Sequence, residues 1–155
     1  MEEKKQIIVT VSGGFDPIHI GHVRLMKSAK ELGDKLVVII NNDNWLKKKK
    51  GFCFMPENDR VEIIKSLECV HDAILTEHPE NPTDMSVCDA LKKLHPDIFA
   101  NGGDRKKAGS FEGGDVAEYV VCDELGIKMA FGLGGEKTRS SSDLVRDAKA
   151  KEKKE

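Results

Sequence analysis

The chain begins, after a short charged lead, with QIIVTVSGGFDPIHIGH, Gln6 to His22, and this stretch decides the fold. Gln6 to Ser12 is a short β-branched apolar run halted by Gly13 and Gly14, so it reads as a strand. Ile20 to Leu32 follows, with Ile20, Val23, Leu25, Met26, Ala29 and Leu32 near helical spacing and Gly33 placed as a C′ residue. Between strand and helix lies a turn carrying Asp16, Pro17, His19 and His22. Neither a core strand nor an ordinary helix needs those residues.

Working outward, Lys35 to Asn41 is a continuous apolar run of the kind buried on both faces of a sheet. Asn42 to Phe54 is polar and lysine-dense and reads as a loop. MPENDRVEIIKSL then starts a helix, with Pro56 in its first turn, Glu57 and Asp59 suited to its dipole, and an apolar stripe of Val61, Ile63, Ile64 and Leu67. His71 to Leu75 is a short strand. Asn81 to Leu94 reads as a helix ended by Pro96, and DIFAN, Asp97 to Asn101, is a strand entering Gly102-Gly103. Val116 to Leu125 is a helix closed by Gly126, Ile127 to Phe131 the last strand, and Ser142 to Ala150 the last helix. This alternation predicts an α/β fold: a single-domain doubly wound parallel sheet with helices on both faces. The domain spans 1–148, and 149–155 is a charged, solvated tail.

Composition narrows the class. The 155 residues suit one domain, and 39% apolar with 34% charged residues is ordinary for a globular chain. A net charge of −2 supplies no general attraction to nucleic acid or anionic membrane. No apolar run approaches the roughly 20 residues of a membrane span, and the N-terminus lacks the order of a signal peptide, so a cytoplasmic location is expected. Cys53, Cys69, Cys88 and Cys122 show neither CxxC nor zinc-like spacing and read as reduced, buried side chains, which disfavours a redox or metal protein.

The turn itself points to phosphate. Doubly wound sheets bind ligands at the C-terminal ends of their strands, and a helix N-terminus offers N–H groups and partial positive charge to an anion. Glycines admit close backbone approach. His19 and His22, three apart, can face one side of the entering turn and donate to phosphate oxygens. Each alone reads as well as a solvated or capping group, and a zinc pair lacks a third ligand. The string is neither GxxxxGK[ST] nor GxGxxG.

Gly14 to His22, as GxFDxxHxGH, resembles the signature of the cytidylyltransferase-like nucleotidyltransferases, a superfamily with a Rossmann-like fold. The resemblance implies transfer of a nucleoside monophosphate from a nucleoside triphosphate to a small phosphorylated acceptor, with release of pyrophosphate. It assigns His19 and His22 to the α-phosphate transition state and Gly13, Gly14, Phe15 and Asp16 to the nucleotide-binding turn. Asp16 either reaches Mg²⁺ through water or orients the turn. TRSSSDLVR, Thr138 to Arg146, resembles a second family motif, in which Ser140, Ser141 and Ser142 bind phosphate and Arg146 closes the string; Arg139 departs from it. Arg60, in MPENDR, is implied as a phosphate-reaching arginine, the alternative being an exposed helix-surface residue. Lys47 to Lys50 stand where relatives place phosphate-binding lysines: one or two of them would close over the triphosphate, with Lys47 named as catalytic, and an exposed charge run is the alternative for each. Asp97 to Arg105 resembles the GGD string of heptose-phosphate adenylyltransferases, so Gly102 and Gly103 would admit ribose or base and Asp104 would accept from ribose hydroxyls. Lys137 is a further phosphate candidate.

The implied partners are an NTP with Mg²⁺ carried on its phosphates, a phosphorylated acceptor, and a second copy in a homodimer; no nucleic acid or membrane is expected, and no protein-ligated metal. The GGD segment favours ATP and a sugar phosphate. Glycerol-3-phosphate cytidylyltransferase, using CTP on a polyol phosphate, is the alternative, and a non-catalytic nucleotide sensor is disfavoured because both histidines are present. The acceptor is expected near Thr76 to Thr83 and Lys106 to Gly114, with Lys106 and Lys107 toward its phosphate. An anionic phosphate nucleophile needs no strong general base; the reaction needs in-line positioning and neutralisation of spreading charge.

Overall fold

Short apolar runs build the sheet. The structure is a computed structural model that describes residues 5–102, 115–135 and 141–153 of the chain. In chain order its elements are β1 (Ile8–Gly13), α1 (Ile20–Lys30), β2 (Lys35–Ile40), α2 (Asp43–Lys50), α3 (Glu57–Lys65), β3 (Asp72–Leu75), α4 (Cys88–Leu94), β4 (Ile98–Gly102), α5 (Asp115–Leu125), β5 (Lys128–Leu133) and α6 (Ser141–Lys153). The strands pair in parallel in the order β3-β2-β1-β4-β5. This is the doubly wound α/β architecture expected from the sequence.

Alternation explains why β2 is apolar throughout. Leu36, Val38 and Ile40 pack with Met26 and Ala29 of α1 and Ile64 of α3. Ile39 packs on the opposite face with Val87, Leu91, Val121 and Cys122, beside α4 and α5. Each such side chain contributes about 1.5–3 kcal/mol by leaving water. Thr10, fully buried in β1, is satisfied by donating its hydroxyl to the Val37 carbonyl at 2.6 Å.

The strand order reverses at β1. Its register with β2 runs from Ile8 opposite Lys35 to Gly13 opposite Ile40. With β4 it pairs only Val9 to Ile98 and Thr10 to Phe99. Past Thr10 the two strands part, and a crevice opens at their C-terminal ends, where a doubly wound sheet receives its ligand.

Four local expectations are corrected. Lysines 47 to 50 lie on helix α2, not in a loop: Asn42 caps it by accepting from the Trp45 amide at 3.0 Å, and Gly51, at φ 88°, ends it. Helix α4 begins at Cys88 rather than Asn81, because Asn81 is at φ 48°, Pro82 follows, and the Asp84 carboxylate takes the Ser86 amide at 2.9 Å. Gly33 is not a left-handed cap. A Cβ there would stand 2.7 Å from Val9 Cγ2 and 2.8 Å from the Ile7 carbonyl, so glycine lets α1 return tightly to the sheet. Finally, α6 continues past Ala150 to Lys153, and Lys149 Nζ stands 4.9 Å from the centre of the Phe52 ring.

Candidate active site

The two histidines cap the helix they introduce. His19, in extended backbone, is the N-cap of α1, and its Nδ1 accepts from the Gly21 amide at 3.1 Å. His22 Nδ1 accepts in turn from the His19 amide at 3.1 Å. This is a capping box built with imidazoles in place of Ser and Glu. An Nδ1 that accepts a backbone N–H leaves the neutral ring's proton on Nε2. Both rings therefore carry their donor on the same nitrogen. They stack with centroids 3.8 Å apart, and Phe15 sets its ring edge-on to His22 at 5.0 Å.

Glycine is required here for space. A Cβ on Gly21 would come within 2.9 Å of the His19 ring, and one on Gly13 within 3.0 Å of the Phe15 ring. At Gly14 the same space is taken by Leu46, 2.8 Å away, and by Trp45. Gly13 and Gly14 are thus consumed by packing of the turn against Phe15 and α2.

Asp16 is buried, and its two oxygens accept the Phe54 amide at 2.6 Å and the Met55 amide at 2.7 Å. Of its two expected roles, orienting the turn is the one the geometry serves. Arg60 lies beneath, 1% exposed. Its guanidinium donates to the carbonyls of Gly14, Asn41 and Met55 at 2.9, 2.6 and 3.0 Å and to Asp43 Oδ1 at 2.7 Å. Burial raises the Asp43 carboxyl, but hydrogen bonds from Arg60, the Glu57 backbone and Cys53 outweigh it and hold the group below its ordinary value. The Cys53 thiol is pushed up to about 11, first by burial and then by Asp43, which leaves it an inert thiol.

Two clefts flank the turn, and α2 borders both. One, of about 530 Å³, is basic: Lys49 and Lys50 of α2 face Arg146 and Lys149 of α6 across Phe52. Lys50 Nζ donates to the Asp16 carbonyl at 3.0 Å, and burial, ahead of the opposing pull of Asp16, sets its pKa below the ordinary lysine value. The other cleft, of about 450 Å³, lies at the switch point, with Gly13, Asn41, Trp45, Met85, Gly102 and Glu118 in its lining. Trp45 is fixed by its Nε1 donating to the Met85 carbonyl at 2.8 Å, and Glu118 accepts the Val87 amide at 2.9 Å. Among the described residues the buried Asn41 Oδ1 has no hydrogen-bond partner, which costs about 1–3 kcal/mol for such a group. Among the described residues no group of three or more His, Cys, Asp or Glu converges as a metal site, and no helix is long and apolar enough to cross a membrane.

The model of the cytidylyltransferase-like family matches residues 10–112, from β1 through β4 and beyond. The chain belongs to that family. Among this nucleotidyltransferase's relatives, the FAD synthases of Pyrococcus abyssi and Pyrococcus horikoshii are 40% and 42% identical over 106 residues, 68% of this chain and 68% of each relative. The bifunctional protein HldE of Nitratiruptor is 35% identical over 122 residues, which are 77% of this chain but 25% of that longer protein. A solved structure, the lipopolysaccharide core biosynthesis protein of Thermoplasma volcanium, superposes with a TM-score of 0.63 at 27% identity, covering 83% of this chain and 95% of that one.

The nucleotidyltransferase's expected site residues fall into three groups. His19, His22, Gly13, Gly14, Phe15 and Asp16 come together in the turn, and Gly102 stands across the crevice. Two candidates are corrected. Arg60 neither reaches outward nor lies on an exposed helix face: its partners are three carbonyls and a carboxylate inside the molecule. Lys47 is exposed on α2, and Lys50, not Lys47, meets the turn. Gly103, Asp104, Lys106, Lys107, Lys137, Arg139 and Ser140 lie outside the described residues, as do the side chains of Ser141 and Ser142. Trp45 and Asn41 were missed. Asn42, Asp43, the lysine run and Gly51 were a legible helix start and stop, and a helix there would have carried Trp45 to the crevice.

Proposed function

We propose that this enzyme transfers AMP from ATP to a phosphomonoester, with FMN as the acceptor and FAD and pyrophosphate as products. The observation that carries the reading is the pair of stacked histidines, each with Nδ1 spent on the helix start and its donor on Nε2. Two N–H donors at a helix N-terminus match the charge that develops on the α-phosphate. An acceptor phosphate oxygen bonds to the α-phosphorus, and the bond from that phosphorus to the bridging oxygen of the leaving pyrophosphate breaks. His19 and His22 bind the oxygens of the transferring phosphate. Lys50 and Arg146, with Lys49 and Lys149 beside them, hold the departing pyrophosphate in the basic cleft. Arg60 is a positioning residue that fixes Gly14 and Asp43. Mg²⁺ carried on the triphosphate would shield its charge.

The FAD synthases at 40–42% identity support FMN as acceptor and ATP as donor. The likeness to HldE across 77% of the chain favours a sugar phosphate as the second reading. The test is incubation with Mg²⁺ and ATP or CTP, against FMN, a sugar 1-phosphate and glycerol 3-phosphate, separating products by chromatography. FAD and pyrophosphate in equal amounts are expected with ATP. Pyrophosphate release with a sugar phosphate but not FMN moves the assignment to the second reading. No nucleotidyl product from any pair overturns both.

A further inference from the structure

We infer that Trp45, Met85 and Asn41 form the acceptor-selecting wall, on which a planar ring carrying a hydrogen-bond donor stacks against the indole. This rests on the adenylyl-transfer reading above and extends it to a specificity device that the turn does not contain.

In-line displacement places nucleophile and leaving group on opposite sides of the α-phosphorus. The four cationic side chains of the basic cleft suit the pyrophosphate. The acceptor then comes from the other side of the turn, where the switch-point cleft holds Trp45, Met85 and Asn41. About 450 Å³ is ample for a fused ring system.

The wall is built in advance. The indole is locked by its bond to the Met85 carbonyl, 40 residues further along the chain. The loop that carries Met85 is itself pinned, because Asn42 and Asn44 both donate to the His78 carbonyl at 2.9 Å. A fixed aromatic plane recognises another plane at small entropic cost. Asn41 lines the same cleft, and its Oδ1, buried and without a hydrogen-bond partner among the described residues, calls for an N–H or O–H. The isoalloxazine of FMN has both features, a plane and a ring N–H at its edge. A sugar phosphate lacks the plane.

The experiment is FMN binding followed by flavin fluorescence, with no ATP present, beside steady-state FAD synthesis. Wild type is expected to quench flavin emission saturably. Trp45→Leu should abolish the quench and raise the Kd by about tenfold or more, the usual worth of an aromatic stack. Trp45→Phe should stay within a few-fold, and Asn41→Ala should weaken FMN. The melting shift produced by ATP should be unchanged in all of them. Because Trp45 also packs over Gly14, Met85→Glu, which alters the wall from a loop, is the second probe and should weaken FMN likewise.

Unaltered FMN affinity in Trp45→Leu and Met85→Glu overturns the inference. So does loss of ATP rather than FMN binding, which would put adenine on the indole. Quenching that the variants lose, with no FAD formed by wild type, upholds the wall and removes the transfer reading. FAD synthesis with FMN affinity indifferent to the wall does the reverse.

Discussion

At the scale of single residues, the turn uses each imidazole twice, once for the helix and once for the ligand. His22→Ala is expected to lower kcat by about 10²–10³, the usual worth of one transition-state donor. It should cost about 0.5–2 kcal/mol of stability, because the His19 amide loses its acceptor. Steady-state rates and a melting curve on the same preparation check both. Gly21→Ala separates the roles. Alanine is the better helix former by about 1 kcal/mol, yet its Cβ would sit 2.9 Å from the His19 ring. Activity is expected to fall by tenfold or more while the melting temperature holds or rises; a fall in both would mean that the ring cannot move aside. The histidines were legible because the string around them is dense and specific. Arg60 was not, since the carbonyls that hold it come from positions 46 and 19 residues away, a closeness that no local pattern encodes.

At the scale of elements, α2 joins the phosphate side to the acceptor side. Arg60 ties its first residue to the turn, and Lys50, at its end, reaches the Asp16 carbonyl. Arg60→Met is expected to destabilise by about 3–5 kcal/mol, because the carbonyls of Gly14, Asn41 and Met55 and the Asp43 carboxylate lose a buried donor. Urea unfolding reads this directly. Asp43 has a lowered folded pKa, so its contribution is complete above the ordinary value of 3.8 and fades as pH falls below it. The acid-unfolding midpoint should therefore rise in Arg60→Met.

Lys50 runs the other way. Its folded pKa lies below 10.5 through burial, so its charge is lost early on the alkaline side. The pH profile of kcat/KM for ATP should decline below that value, and Lys50→Arg, which stays charged, should shift the decline upward. The lysine run conceals α2, because its polarity masks the cap at Asn42 and the stop at Gly51. From Asn81 the apolar spacing misleads the other way, because Asn81 is at φ 48° and the Asp84 carboxylate holds the Ser86 amide in a turn before the helix begins.

At the scale of the whole molecule, the sheet was readable almost entirely. Each strand is a short apolar run between turn residues, and parallel winding follows from the alternation. The separation of β1 from β4 beyond Thr10 was not readable, since it depends on where two distant strands stop pairing. A nucleotide bound over the turn stabilises the fold by mass action. ATP at about 100 times its Kd should add about 2.7 kcal/mol, a shift of several degrees in a thermal melt, and CTP at the same concentration should add less. Equal shifts would favour a base-indifferent site and reopen the cytidylyl alternative.

The stacked histidines, Gly21 beside them and the Phe15 edge cannot drift one at a time. A bulkier residue at one place displaces a ring at another, and a displaced ring uncaps a helix. Such a set is inherited whole or lost whole, whereas the Met85 side chain, on a loop outside it, can be exchanged by itself. New acceptors are therefore to be sought by varying the wall while the turn passes unchanged from one descendant to the next.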